Sequence, residues 1–311
     1  VLIVADVTRS GEIDDSISLF MYSRLELLGC IKVIGVASIF GNGGSSTAEV
    51  HQNLVVRLGQ LGLDDWPVFL GPHNRVPFEA NWKLTPTDTE NLEKIAAQII
   101  AYDKVVIAEL GPLTVSACLM RSKMISQSNV IKILGVGGRA EGEQFSQGSV
   151  PFGFRDMNIA EDRMAMKYLL EDYASKLWMT TYRTGIGVRM IGPEMVSDIG
   201  NEDLMEHAYK RAKMLKKIGY QGKIPSWDTW TTSWFLKGGP EKLGCKRIPA
   251  KMTYAEKGYR PTDSMQLRLL DDSVKGGKLI EACHEVSEQI SQKIRKVKSP
   301  RLTQEIVHEP P

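Results

Sequence analysis

Five short runs of β-branched and other apolar residues recur along the first 182 positions: VLIVA (1–5), KVIGVASIF (32–40), KVVIAEL (104–110), VIKILGVGG (130–138) and LWMTTY (177–182). Near-continuous apolar runs of this length read as strands buried on both faces. Between them lie DDSISLFMYSRLELLG (14–29), STAEVHQNLVVRLGQLG (46–62), TENLEKIAAQIIAYD (89–103) and AEDRMAMKYLLEDYA (160–174), each with apolar residues at helical spacing. Strand alternating with helix predicts an α/β fold. Its core is a mainly parallel, open, Rossmann-like sheet with helices on both faces.

The pattern weakens after residue 183. EDLMEHAYKRAKMLKKIG (202–219) reads as an amphipathic helix whose basic face is solvated, and DTWTTSWFL (228–236) as a Trp-rich helix. Residues 240–280 read as short strands and turns, and KLIEACHEVSEQISQKIRKV (278–297) as a terminal helix. With no internal repeat and no linker, residues 1–298 are expected to form one domain and 299–311 a loose tail. The net charge of the 311 residues is +2, which points to neither a nucleic acid nor a membrane surface as partner. Cys30, Cys118, Cys245 and Cys283 are scattered without a C-x-x-C pair, so neither a disulfide framework nor a structural zinc is expected. No apolar run is long enough to span a bilayer and no signal peptide is visible, so a cytoplasmic location is expected. A cleaved leader stays open, because the sequence begins at Val1.

In open parallel sheets, ligands bind outside the carboxyl ends of the strands. DVTRSGEIDDSISLF (6–20) follows directly on the first strand, so Asp6, Glu12, Asp14 and Asp15 belong to that rim. First-turn acids suit a helix dipole, which accounts for Asp14 and Asp15 but not for all four. IFGN ends the second strand and adds Asn42; AELGPLT ends another and puts Leu110 at the turn. GVGG leads into a long loop and then FRDMNIAED, with Asp156 and Asn158. PSWDTW sets Asp228 at a late helix start, where it could also be only an N-cap. Carboxylates and carboxamides converging on one rim suit a hard cation beside a polyhydroxyl ligand.

This ordered set resembles the calcium-dependent nucleoside hydrolase family, whose members cleave the N-glycosidic bond of ribonucleosides. The family's D-T-D-x-G-x-D-x-D-D is matched as D6-V-T8-R-S-G-E12-I-D14-D15, and its V-x-G-N by IFGN, followed by a helix carrying Asn53. Its T-G-P-L-[ST]-N is matched by LGPLTV, its M-G-G by GVGG, and its E-[FW]-N-I-x-x-D-P-E-A-A by D156-M-N158-I-A-E-D162-R-M-A165-M. Its late [HW]-D is matched by Trp227-Asp228, so the resemblance covers roughly residues 1 to 235 in order. It implies Ca²⁺ held by Asp15, Asp228 and the main-chain carbonyl of Leu110. Asp14, Asn42, Asp156 and Asn158 would hold the ribose hydroxyls, with Asp156 one methylene shorter than the family's Glu. Family members are commonly dimers or tetramers, so a homodimer or homotetramer is implied.

Pyrimidine-accepting members often carry His before the late Asp, whereas purine-preferring members carry Trp there and a second Trp on a loop. Trp227 and the Trp82 of FEANWKL resemble that pair and imply an indole sandwich around a purine. The competing reading is that Trp82, or Trp227 with Trp230 and Trp234, packs core.

One position departs from the family. The resemblance implies a water held on the metal and deprotonated by the second Asp of D-x-D, and here that residue is Thr8. A Thr hydroxyl is no base near neutral pH. Asp6 could compensate from the same strand face, or Glu12 from the loop. The leading expectation is a purine-leaning nucleoside N-ribohydrolase acting on a small-molecule nucleoside. The alternatives are a relative that binds a nucleoside or ribose without efficient cleavage, and a hydrolase of another N-glycoside refitted by EGEQFSQGSVPFGFRD (141–156).

Overall fold

The computed structural model describes residues 1–8, 13–41, 44–77, 82–140, 156–188, 202–217, 227–235, 245–254, 265–270 and 276–283. Strands β1 (Leu2–Ala5), β2 (Gly35–Ser38), β3 (Val68–Leu70), β4 (Val105–Glu109), β5 (Val130–Val136), β6 (Arg139–Ala140), β7 (Leu177–Thr180), β8 (Lys246–Tyr254), β9 (Met265–Leu269) and β10 (Lys278–Cys283) form one sheet. Its order is β3-β2-β1-β4-β5-β7-β10-β8-β9-β6. From β3 through to β10 every pairing is parallel, and β8 is antiparallel to both β10 and β9.

The strand runs are apolar throughout because the sheet is covered twice. Leu2 and Val4 enter one core, Ile3 and Ala5 the other. Val105 and Ile107 likewise oppose Val106 and Ala108, and Leu177 and Met179 oppose Trp178. Helices α1 (Asp14–Leu27), α2 (Thr47–Leu61) and α8 (Glu202–Lys217) contribute to the core holding Ile3. Helices α3 (Pro86–Ile100), α4 (Thr114–Arg121) and α6 (Arg163–Tyr173) contribute to the core holding Leu2. Helix α2 starts on a capping box between Ser46 and Glu49 and stops at Gly62, whose φ of 67° suits a residue without Cβ.

β1, β2 and β3 step in one direction across the sheet, and β4, β5 and β7 in the other. The order therefore reverses between β1 and β4, and the crevice beyond their carboxyl ends is where such folds bind ligands.

Four expectations are corrected. The segment expected as a terminal helix begins instead as β10, wedged between β7 and β8; its continuation lies outside the described residues, as does the expected tail. Lys, Leu, Glu and Ala favour helix intrinsically, but two flanking strands with free edges override that preference. Cys245 and Cys283, scattered in sequence, are joined as a disulfide. The antiparallel register that pairs Lys246 with Ala282 brings them opposite each other. The helix expected over 160–174 is two, α5 (Met157–Glu161) and α6, because Asp162 leaves the helical conformation to cap the second. The Trp-rich late helix is a 3-10 helix, Asp228–Phe235. A further helix, α7 (Tyr182–Val188), follows β7. Among the described residues no helix is long and apolar enough to cross a membrane.

Candidate functional site

The rim begins where β1 ends. A Cβ on Gly41 would lie 2.5 Å from Asp6 Oδ2, and one on Gly111 3.0 Å from Asp6 Cγ. The Asp6 side chain is thus wedged between the backbones that leave β2 and β4, on both sides of the switch point. Gly41 also has a φ of 151°, which L side chains rarely adopt.

Two residues of the first turn of α1 and the first residue of the late 3-10 helix then meet. Asp14, Asp15 and Asp228 are 4%, 1% and 5% exposed, and each offers a carboxylate oxygen within 4.8 Å of the others. The elements carrying them are fastened together, since Tyr22 Oη on α1 donates to Thr231 Oγ1 at 2.8 Å. Burial pushes the Tyr22 phenol up, so it stays a neutral donor. Three buried carboxylates this close repel one another unless a proton or a cation compensates them. An all-oxygen, anionic donor set fits a hard divalent cation such as Ca²⁺. Asp6 is not a member of this cluster.

Leu110, just beyond β4, accepts from Asn158 Nδ2 at 2.8 Å through its main-chain carbonyl. One of its two lone-pair sites remains for a further partner. Asp156 caps α5: Oδ1 accepts from the Ile159 N–H at 3.3 Å, and Oδ2 from the Gly138 N–H at 2.5 Å. Its carboxylate therefore clamps the GVGG turn to α5. Burial pushes its carboxyl up to about 6, against the pull of these two N–H groups and of Arg139.

The two indoles expected to sandwich a base rest on separate supports. Trp82 packs against the core of α3, α4 and α6, beneath the Arg121 guanidinium at 5.2 Å. Trp227 lies over Gly185, stacks on Tyr182 at 6.3 Å and donates from Nε1 to the Tyr182 carbonyl at 3.1 Å. Thr8 is 9% exposed beyond β1. Glu12 and Asn42 lie outside the described residues.

Two further acids organise the site from below. Asp162 Oδ2 accepts from Val76 N and Thr114 Oγ1, each at 2.8 Å, while Oδ1 caps Ala165 N at 3.0 Å. It thereby ties the chain beyond β3 to the starts of α4 and α6. Glu109, the last residue of β4, is fully buried with Oε1 accepting from Ser116 N at 2.7 Å. The signal for Glu109 was a carboxylate inside an otherwise apolar strand run.

No protein-family model matches the sequence, and a comparison with curated proteins finds no match. Solved structures do match. A plant nucleoside hydrolase is 16% identical with a TM-score of 0.66, over 96% of this chain and 99% of that one. A purine-preferring ribonucleoside hydrolase from Gardnerella vaginalis is 14% identical with a TM-score of 0.66, over 96% and 98%. The type III effector protein XopQ, complexed with adenosine diphosphate ribose, is 13% identical with a TM-score of 0.62, over 96% and 92%. The chain has the fold of the nucleoside hydrolases.

Proposed function

We propose that the chain holds a divalent cation, Ca²⁺, beside the ribose of a purine ribonucleoside and hydrolyses its N-glycosidic bond. The observation that carries this reading is the convergence of Asp14, Asp15 and Asp228, buried, within 4.8 Å of one another at the mouth of the switch-point crevice. Asp15, Asp228 and the Leu110 carbonyl hold the cation. Asp14 and Asn158 accept from and donate to ribose hydroxyls, together with Asn42. When bound, the cation compensates the three carboxylates and supplies Lewis acidity toward water. Asp156 fixes the turn and the helix from which Asn158 reaches the rim. Trp227 offers the base an aromatic face, which supports the purine preference.

Thr8 favours a second reading, in which the site binds without efficient cleavage. Its hydroxyl can orient a water but does not take a proton from it near neutral pH. Asp6 is a poor substitute, because it is seated against Gly41 and Gly111.

The test is release of reducing sugar from inosine, adenosine, guanosine and uridine, with Ca²⁺ and with chelator, by this chain and by Thr8→Asp. Turnover by the unaltered chain that chelator abolishes supports the hydrolase. Turnover only in Thr8→Asp supports the binding reading. Sugar release by both that chelator leaves unchanged sinks the cation-dependent site.

A further inference from the structure

Helix α5 has five residues, too few to hold itself in place without outside contacts. Its start is fixed by the Asp156 cap, and Asn158, its second residue, reaches the Leu110 carbonyl. Its end is fixed from another part of the chain. Glu161, the last residue of α5, pairs with the Arg75 guanidinium. The next residue, Asp162, accepts from the Val76 N–H at 2.8 Å. Consecutive residues beyond β3 thus grip consecutive residues at the end of α5.

Arg75 reaches a third element. Its guanidinium lies over the Phe40 ring, 5.9 Å from the centroid, within the range of a cation–π contact. Phe40 lies two residues beyond β2, directly before Gly41, whose backbone packs against Asp6. A planar cation suits both contacts: its edge donates to a carboxylate while its face covers a ring.

Exposed ion pairs usually contribute little, but one partner here is largely buried. The Glu161 side chain is 17% exposed, against 59% for Arg75. Without Arg75, its carboxylate would stand beside the last carbonyls of α5 and the neighbouring carboxylate of Asp162. Arg75 also pulls against the rise that burial gives the Asp162 carboxyl. Asn158 and Glu161 are three apart, so they leave neighbouring points on one face of α5. A shift at Glu161 therefore reaches Asn158 within a single turn. On the other side, Phe40 precedes Asn42 by two residues in the chain. One guanidinium touches both segments that supply the carboxamides expected on the ribose.

We infer that Arg75 is a positioning residue: it sets the spacing of the segments that hold the ribose hydroxyls, and with it the preference for ribose over deoxyribose. This rests on the ribose-binding reading above. Arg75 acts through Glu161 and Phe40 rather than by touching the ligand.

The experiment is calorimetric titration of the full chain, in Ca²⁺, with adenosine, 2′-deoxyadenosine and 3′-deoxyadenosine. The unaltered chain is expected to bind adenosine tighter than either analogue. Arg75→Gln and Glu161→Gln should each cut that preference by about threefold, the scale of one ion pair. The double variant should lose no more than the single ones, since both break the same link. Arg75→Lys, which keeps a cation for Glu161, should retain part of the preference. Arg75 is largely exposed, so its variants should melt close to the unaltered chain. A preference kept in both single variants overturns the inference and leaves the ribose site standing. An equal loss for all three ligands overturns it too, because a pair that serves only the fold has no reason to single out the hydroxyls. Losses that add in the double variant do the same. If the unaltered chain binds none of the three, or adenosine no tighter than the analogues, the ribose reading fails, and the inference with it.

Discussion

The Asn158 side-chain amide donates to the Leu110 main-chain carbonyl at 2.8 Å, joining the start of α5 to the end of β4. A residue expected to hold ribose thus positions an oxygen expected to face the cation. Asn158→Ala removes this bond and is expected to lower stability by about 0.5–1.5 kcal/mol. Asn158→Asp should be worse without Ca²⁺, since it sets a carboxylate against a carbonyl oxygen. Melting both variants with Ca²⁺ and with chelator tests this, and equal melting temperatures for Ala and Asp in chelator would contradict it.

Asp14, Asp15 and Asp228 should make thermal stability depend on a divalent cation. A ligand that binds only the folded chain stabilises it by about 2.7 kcal/mol at a hundredfold excess over Kd. Ca²⁺ should therefore raise the melting temperature of the unaltered chain. Asp15→Asn and Asp228→Asn should lose most of that shift while melting no lower in chelator, because each removes one of three crowded charges. A cation shift kept in both variants would mean that the ion binds elsewhere.

Glu109 should make stability fall as pH rises. Burial pushes its carboxyl from 4.5 up to about 8. The folded chain keeps a proton that the unfolded chain releases near the ordinary value. Its contribution is full below about pH 4.5 and is lost as pH climbs to about 8, with a slope of at most about 1.4 kcal/mol per pH unit. Asp156, raised to about 6, adds the same sign over a lower window. Glu109→Gln keeps an acceptor for Ser116 N and removes the titration. Urea midpoints measured between pH 5 and pH 8 should fall less steeply for this variant than for the unaltered chain.

The sheet was legible because its strands are buried on both faces, so Leu2 to Ala5 read as one apolar run, although they divide between two cores. β10 was not, because KLIEAC carries helix-favouring residues and is a strand only through its pairing with Met179 and Ile248 and their neighbours. Helix α4 was hidden for the opposite reason: its run of Thr, Val, Ala, Cys and Leu shows little polar face, since Thr114 through Met120 are all buried. At the site, Asp14, Asp15 and Asp228 could be proposed as neighbours because strand ends share a rim. Sequence cannot tell an acid that faces a ligand from one that braces backbone. Asp156 and Asp162 look alike in the motif, and both spend oxygens on main-chain N–H groups. Trp82 shows the same ambiguity in sequence: its half-buried ring lies beneath Arg121 and borders the core.

Gly137 should be intolerant of a side chain. Its φ is 144°, and a Cβ there would stand 2.9 Å from both Asp156 oxygens and 2.8 Å from Ile159 Cγ1. Gly137→Ala is expected to destabilise the chain by roughly 1–3 kcal/mol, the scale of backbone strain, and to displace the Asp156 clamp. Ribonucleoside binding should weaken with it. An unchanged melting temperature would show that the turn re-forms without the clamp.

Trp227 is held by a contact that separates its two roles. A Cβ on Gly185 would come within 2.1 Å of Trp227 Cδ1, so the indole lies flat on the α7 backbone, pinned by its bond to the Tyr182 carbonyl. Gly185→Ala must push the ring away and break its stacking on Tyr182. If the exposed part of the indole receives a base, adenosine affinity should fall severalfold more than ribose affinity, because stacking on an aromatic is worth about 1–3 kcal/mol per base. If Trp227 only packs, the variant should melt lower with adenosine and ribose affinities reduced equally or not at all. Titrating both ligands against this one variant decides between the two, since ribose reports the acid cluster and adenosine adds the base.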